Sequence, residues 1–93
     1  MIRYRLKADR LEHHLSLLHA VYEELEATAA ESLHYATFQL DDELEFVDIA
    51  SGPRLPEPLP RLESFQRYRA GLEERCERMV AEELHEVASF RFP

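Results

Sequence analysis

Ile2-Arg3-Tyr4-Arg5-Leu6-Lys7 is the stretch on which the fold turns. Ile2, Tyr4 and Leu6 alternate with Arg3, Arg5 and Lys7, and a period of two marks a strand with one covered and one open face. Asp9 follows as a candidate helix N-cap, and Glu12 stands three residues later in capping-box position. Beyond it Leu11, Leu15, Leu18, Tyr22 and Leu25 recur at helical spacing. The chain is therefore expected to pass from a strand into an amphipathic helix of roughly four to five turns, at about 3.6 residues per turn.

Working outward, segment 33–40 holds Tyr35, Thr37 and Phe38, which suit a pleated surface, and segment 44–50 holds Phe46, Val47 and Ile49. The acidic link Asp41-Asp42-Glu43 between them predicts an antiparallel hairpin. Both faces of this hairpin carry apolar residues, so the pattern leaves its register open. Segment 51–60 contains Gly52 and prolines at 53, 56, 58 and 60, and reads as an irregular surface connection. Pro60 is placed to open a second helix, whose stripe would be Leu62, Phe65, Tyr68, Leu72, Cys76 and Met79, with Gly71 as its weak point. A last strand is expected over 80–92, carrying Leu84, Val87, Ala88, Phe90 and Phe92, with a bulge or bend around 84–87.

The order β-α-β-β-α-β is the split βαβ arrangement. It predicts one α+β domain over 1–93, ferredoxin-like, with a four-stranded antiparallel sheet, an internal first strand and two helices on one face. If Ile2, Tyr4 and Leu6 pack beneath the helices, Arg3, Arg5 and Lys7 look the other way. Tyr35, Thr37, Gln39, Phe46 and Asp48 are expected to join them there. A face so mixed in aromatic and charged groups fits an interface, with aromatics as anchors and opposite charges setting the register. The competing reading is a solvated sheet face.

Composition narrows the partners. The 93 residues carry a formal net charge of -8, which opposes binding to phosphate backbones and anionic lipid surfaces unless bases cluster. The nearest approach to a basic cluster is Arg3, Arg5 and Lys7, with Asp9 and Glu12 close by. Neither nucleic acid nor membrane is an expected partner. The single cysteine, Cys76, excludes an intrachain disulfide. No apolar run approaches bilayer length, and the first residues lack the apolar stretch of a signal peptide, so a cytoplasmic location is expected.

The segment Arg3-Tyr4-Arg5-Leu6-Lys7, the strand Leu33-His34-Tyr35-Ala36-Thr37-Phe38, the strand Leu44-Glu45-Phe46-Val47 and the helix Ser64-Phe65-Gln66-Arg67-Tyr68 together resemble the dimeric α/β-barrel superfamily. Within it they look most like the antibiotic biosynthesis monooxygenase-like proteins. The resemblance spans essentially the whole chain and lies in element order and texture. It implies a homodimer whose two sheets face each other as a barrel, through the face assigned above to Arg3, Arg5, Tyr35 and Thr37. It also implies a pocket in each subunit between sheet and helices. Some members oxidise polycyclic aromatic compounds with molecular oxygen and need no metal or flavin, so no cofactor is expected. The oxidising and haem-degrading members typically place a Trp and an Asn in the pocket, and this chain contains neither. Their catalytic residues therefore have no counterparts here, and the fold transfers without the reaction.

The candidates that remain are read from chemistry. His14 falls within the first helical stripe, where an imidazole is either an acid–base group or a structural hydrogen-bond partner. Arg69 falls in the second stripe, where it would snorkel, pair with a carboxylate, or hold an anionic group. Tyr22, Phe65 and Tyr68 are expected to line the pocket, and the phenols of Tyr35 and Tyr68 either orient a ligand or are satisfied within a core. His14 and His19 are five apart, which is the wrong spacing for two ligands on one helix face, and no metal site is expected. Cys76 is read as a small core residue. Two functions follow. One is a cofactor-independent, monooxygenase-like enzyme acting on an aromatic or apolar small molecule. The other is a non-catalytic dimeric module that binds a ligand or serves as an accessory subunit.

Overall fold

A computed structural model describes residues 1–28 and 32–91. The alternating opening segment forms strand β1 (Ile2–Leu6), in which Tyr4 and Leu6 are buried and Arg3 is exposed. A 3-10 turn, Ala8–Arg10, leads into helix α1 (Leu11–Thr28). Asp9 lies inside that turn and pairs with Arg10 at 3.8 Å, so the expected capping box at Asp9 is replaced by a tighter turn. Leu18 and Val21 carry the helix stripe into the core, and Tyr22 and Leu25 flank it.

The hairpin forms as expected, from β2 (His34–Gln39) and β3 (Glu45–Ser51). Its turn is closed by Asp42, whose Oδ1 accepts the Leu44 N–H at 3.1 Å and whose carbonyl accepts the Glu45 N–H at 2.8 Å. At the far end of β3, Gly52 has a φ of +151°, and a Cβ there would lie 2.5 Å from the Ser32 carbonyl oxygen. Only glycine passes at that point.

The sheet is antiparallel throughout, in the order β2-β3-β1-β4, which is consistent with a ferredoxin-like fold. β1 is internal, paired with β3 on one side and β4 on the other.

Two elements differ from expectation in the second half. The predicted second helix, running to Met79, is cut short. It divides into α2 (Glu63–Ala70) and the single turn α3 (Leu72–Arg75), with Gly71 between them, and Cys76 begins strand β4 (Cys76–Ala81). Two forces act against the helical stripe. Gly71 weakens the helix where it stands, and a Cβ on it would lie 3.0 Å from Arg75 Nη1. β4 then pairs with the otherwise unbonded side of β1, placing Met79 opposite Tyr4 and Cys76 opposite Leu6. Pairing along an internal strand outweighs the local helical periodicity. Pro60, expected to open the helix, sits instead in a 3-10 turn, Leu59–Arg61.

The predicted strand over 80–92 keeps only Val80 and Ala81. Residues 82–91 leave the sheet as an exposed arm without regular structure, and Phe92 lies outside the described residues.

The register also corrects the face assignment. Phe46 stands opposite Tyr4, Asp48 opposite Ile2, Thr37 opposite Asp48, Gln39 opposite Phe46 and Tyr35 opposite Ala50. Directly opposed residues of an antiparallel pair share a face. Tyr35, Thr37, Gln39, Phe46 and Asp48 are therefore on the helix side, away from Arg3 and Arg5. The open face carries Arg3, Arg5, Phe38, Glu45, Val47, Ile49, Arg78 and Val80. The run Phe46-Val47-Asp48-Ile49 is apolar on both sides apart from one acid, and that acid is the residue the sheet buries.

Candidate functional site

The space between sheet and helices converges on Asp48, in the middle of β3 and only 4% exposed. Four elements send side chains to it. β1 supplies Tyr4, whose hydroxyl donates to Asp48 Oδ1 at 3.1 Å. α2 supplies Tyr68, whose hydroxyl donates to Oδ2. β2 supplies Tyr35, which reaches Oδ2 at 3.4 Å. α1 supplies His14, whose Nε2 lies 2.9 Å from Tyr4 Oη. Tyr4 and Tyr68 also meet each other, oxygen to oxygen, at 2.9 Å.

Behind His14 stands Arg75, the last residue of α3. Its Nε–H donates to His14 Nδ1 at 3.3 Å and its Nη2 to the Tyr68 carbonyl at 2.6 Å, while the guanidinium lies 5.5 Å from the Tyr68 ring centre. An arginine only donates, so His14 Nδ1 carries no proton and Nε2 does. Hydrogen bonds then run one way: Arg75 to His14, His14 to Tyr4, Tyr4 to Asp48. One buried cation and one buried carboxylate sit at opposite ends of a neutral relay.

Burial sets the protonation states. Desolvation, then the Arg75 charge, lowers the His14 pKa to about 4. The imidazole is neutral at physiological pH, as its accepted hydrogen bond requires. Desolvation also raises the Asp48 pKa, against the pull of the hydrogen bonds from Tyr68, Thr37, Tyr4 and Tyr35. Tyr4, Tyr35 and Tyr68 are all pushed upward, first by burial and then by the Asp48 charge. These phenols stay protonated and act as donors. Burial likewise raises the Cys76 thiol, which packs in the core.

The aromatic rings fill the interior. Tyr4 stacks on Phe46 with centres 5.6 Å apart, His14 meets both edge-on, and Phe65 bridges Tyr35 and Tyr68. Tyr4, His14, Phe46 and Tyr68 are essentially inaccessible. Beneath α2 and the first half of α1, the space expected for a pocket is filled by Tyr4, His14, Phe46 and Tyr68.

Of the predicted residues, His14 and Tyr68 come together at the network. Tyr22 and Phe65 lie one layer out, half-buried and joined to it through Tyr35. Arg69 does not reach it; its Nη1 lies 4.0 Å from Met79 Sδ. The basic residue that enters the core is Arg75, six positions further on.

Asp48 and Arg75 are members that sequence reasoning missed; the sequence pattern gives Tyr4 only a packing role and places Tyr35 on the opposite face. Asp48 had a signal, a lone acid inside an apolar strand. Arg75 had only a weak one, its place three residues after Leu72 and seven after Tyr68, at the margin of the second stripe.

An open groove of about 450 Å³ remains at the side of the site, between α1 and the half-covered inner face of β2. Leu15, Leu18 and Phe46 form its floor, and Tyr22, whose hydroxyl meets Thr37 Oγ1 at 2.9 Å, forms one wall. Among the described residues no group of three His, Cys, Asp or Glu side chains is arranged to hold a metal ion, and no helix is long and apolar enough to cross a membrane. No protein-family model, curated protein or solved structure matches the chain.

Proposed function

We propose that this chain is a non-catalytic module that works as a homodimer, its two copies meeting through the open face of the sheet. The observation that carries the reading is the contrast between a filled hydrogen-bonded interior around Asp48 and an uncovered outer face. A reacting group needs a place for substrate within hydrogen-bonding reach, and the Asp48 oxygens, the hydroxyls of Tyr4, Tyr35 and Tyr68 and both His14 nitrogens already have side-chain partners. On the outer face Phe38 is 47% and Val80 51% exposed, with Val47 and Ile49 half-covered beside them. Arg3, Arg5 and Arg78 surround Glu45 on the same surface. Apolar anchors beside paired charges are the makings of a self-complementary patch, and a two-fold axis would use that patch twice.

Sedimentation equilibrium on the intact chain tests this. A dimer at micromolar concentration, reduced to monomer by Phe38→Glu with the circular dichroism spectrum retained, is the expected result. A monomer at every accessible concentration overturns it.

The groove between α1 and β2 favours a second reading, a pocket for a small aromatic or apolar molecule, and with it the monooxygenase-like alternative. Its volume suits a small ligand and two tyrosines with raised pKa values adjoin it. Oxygen uptake on a panel of anthrone-like phenols, abolished by filling the groove with Leu18→Trp, would favour this second reading over the first.

A further inference from the structure

The pairing proposed above leaves the segment after β4 unexplained. Among the described residues, hydrogen bonds tie only its first residue to the body, through the Glu82 N–H to the Met1 carbonyl at 2.8 Å and the Met1 ammonium to the Glu82 carbonyl at 2.7 Å. Past that point the arm borders an open cleft of about 1150 Å³ together with Ile2, Ile49 and Leu55. It leaves its apolar side chains in water: Val87 is 97% and Phe90 82% exposed. Glu82, Glu83 and Glu86 make its first half acidic, and no ion pair among the described residues uses any of them.

The open face supplies the opposite pattern on its β1–β4 side. Arg3 and Arg78 are exposed there, next to Val80. Both guanidiniums lean on Glu45 from one side and keep their remaining donors free for another acid. We infer that the arm of each copy is a strap that crosses to the second copy and lies on the β1–β4 side of its open face. Glu83 and Glu86 then meet the partner's Arg3 and the partner's Arg78, and Val87 packs on the partner's Val80.

Reach and symmetry allow this. From the anchored Glu82, Glu86 and Val87 lie four and five residues on, roughly 13 to 17 Å in extended form, which is comparable with the roughly 15 Å that four strands cover between outer axes. A two-fold axis makes the exchange reciprocal, so each copy gives one strap and receives one. The β2–β3 side, with Phe38, Val47 and Ile49, stays free for direct contact between sheets. The occupant is a second copy because the acid and the base it must meet are both encoded in this chain. The inference rests on the homodimer reading and adds the element that fastens it.

The test compares the dimer dissociation constant of the full chain with that of a chain ending at Ala81 and of a Glu83→Arg/Glu86→Arg chain. The losses expected are roughly tenfold or more for each, the size of one or two interfacial charge pairs with their apolar neighbours. Added salt should weaken the full dimer and leave the truncated one nearly unchanged. Arg78→Glu should weaken the dimer as well, and combining it with Glu83→Arg/Glu86→Arg should restore most of the affinity. Circular dichroism confirms the fold of the truncated chain, and the charge reversals give the answer without deleting anything. Equal dissociation constants for full and truncated chains overturn the strap while the paired sheet face stands. A full chain that never dimerises overturns the underlying reading.

Discussion

On the covered face of β3, Asp48 is held by the hydroxyls of Tyr4, Tyr35 and Tyr68; on the open face, three residues earlier, Glu45 is held by the guanidiniums of Arg3, Arg5 and Arg78. Both carboxylates are nearly inaccessible, yet the physics differs. Phenols donate without bringing charge, so Asp48 remains an uncompensated anion with its cation, Arg75, at the far end of the relay, and burial wins: its pKa rises. Guanidiniums bring charge, and those of Arg3 and Arg78 are largely in water. A neutral cage is rigid and intolerant of deletion. A charged cage at the surface is screened, cheap to lose, and able to exchange partners. The first suits a structural core and the second an interface.

Deleting the two carboxylates separately is the strongest way to break this contrast. Asp48→Ala strips the acceptor from three buried phenols and leaves a void, at an expected cost of about 4 kcal/mol in urea-unfolding free energy. Asp48→Asn keeps the shape and should cost about half as much. Glu45→Ala frees arginines that water can solvate, and about 1 kcal/mol is expected. Similar losses at both positions would show that the covered network is no more essential than the surface one.

The next effect comes from the cation side of the relay. His14 has a pKa of about 4 in the fold and the ordinary value of 6.5 when unfolded. Between these values the unfolded chain binds the extra proton, so stability is fully present above pH 6.5 and falls as the pH drops toward 4. The size is about 3 kcal/mol. Asp48 acts in the opposite sense, since its raised pKa favours the fold at lower pH. The His14 contribution is therefore read as the difference in pH slope between the native chain and His14→Gln, and a proton NMR titration of the His14 ring checks it directly. A ring that titrates near pH 6.5 would mean that the Arg75–His14 hydrogen bond is not held in solution.

Why one half of this contrast was legible in the residues and the other was not follows from the patterns themselves. Alternation at Ile2 to Lys7 requires a strand buried on one side, and the stripe from Leu11 to Leu25 requires a helix over it; both reappear in the structure. His14 could be placed in the core from that stripe alone. The strand at 45–51 carries apolar side chains on both faces, and periodicity cannot say which face is inside. The expected face assignment places Asp48 on the open face with Tyr35, Thr37, Gln39 and Phe46. The sheet does the reverse, because three tyrosines and a threonine arriving from other elements satisfy the carboxylate, and no local window contains all of them. Cys76 to Met79 failed in the same way. Their helical spacing is genuine, and the unpaired side of β1, a non-local partner, overrides it.

The smallest effect sharpens the comparison most. Arg78→Ala removes one guanidinium from Glu45 but leaves Arg3 and Arg5 in place. Because Arg78 is mostly exposed, its ion pair trades Coulomb energy against side-chain entropy and salt screening, and about 0.5 kcal/mol of monomer stability is expected to go. That loss should vanish near 1 M salt, where screening reaches a few ångströms. In the proposed dimer the response should be far larger than in the monomer, because there the same guanidinium would have a second carboxylate to meet. A cost of several kcal/mol in the isolated monomer, insensitive to salt, would place Arg78 in a tightly held cage like that of Asp48. The open face would then be a finished surface with nothing left to offer a second copy.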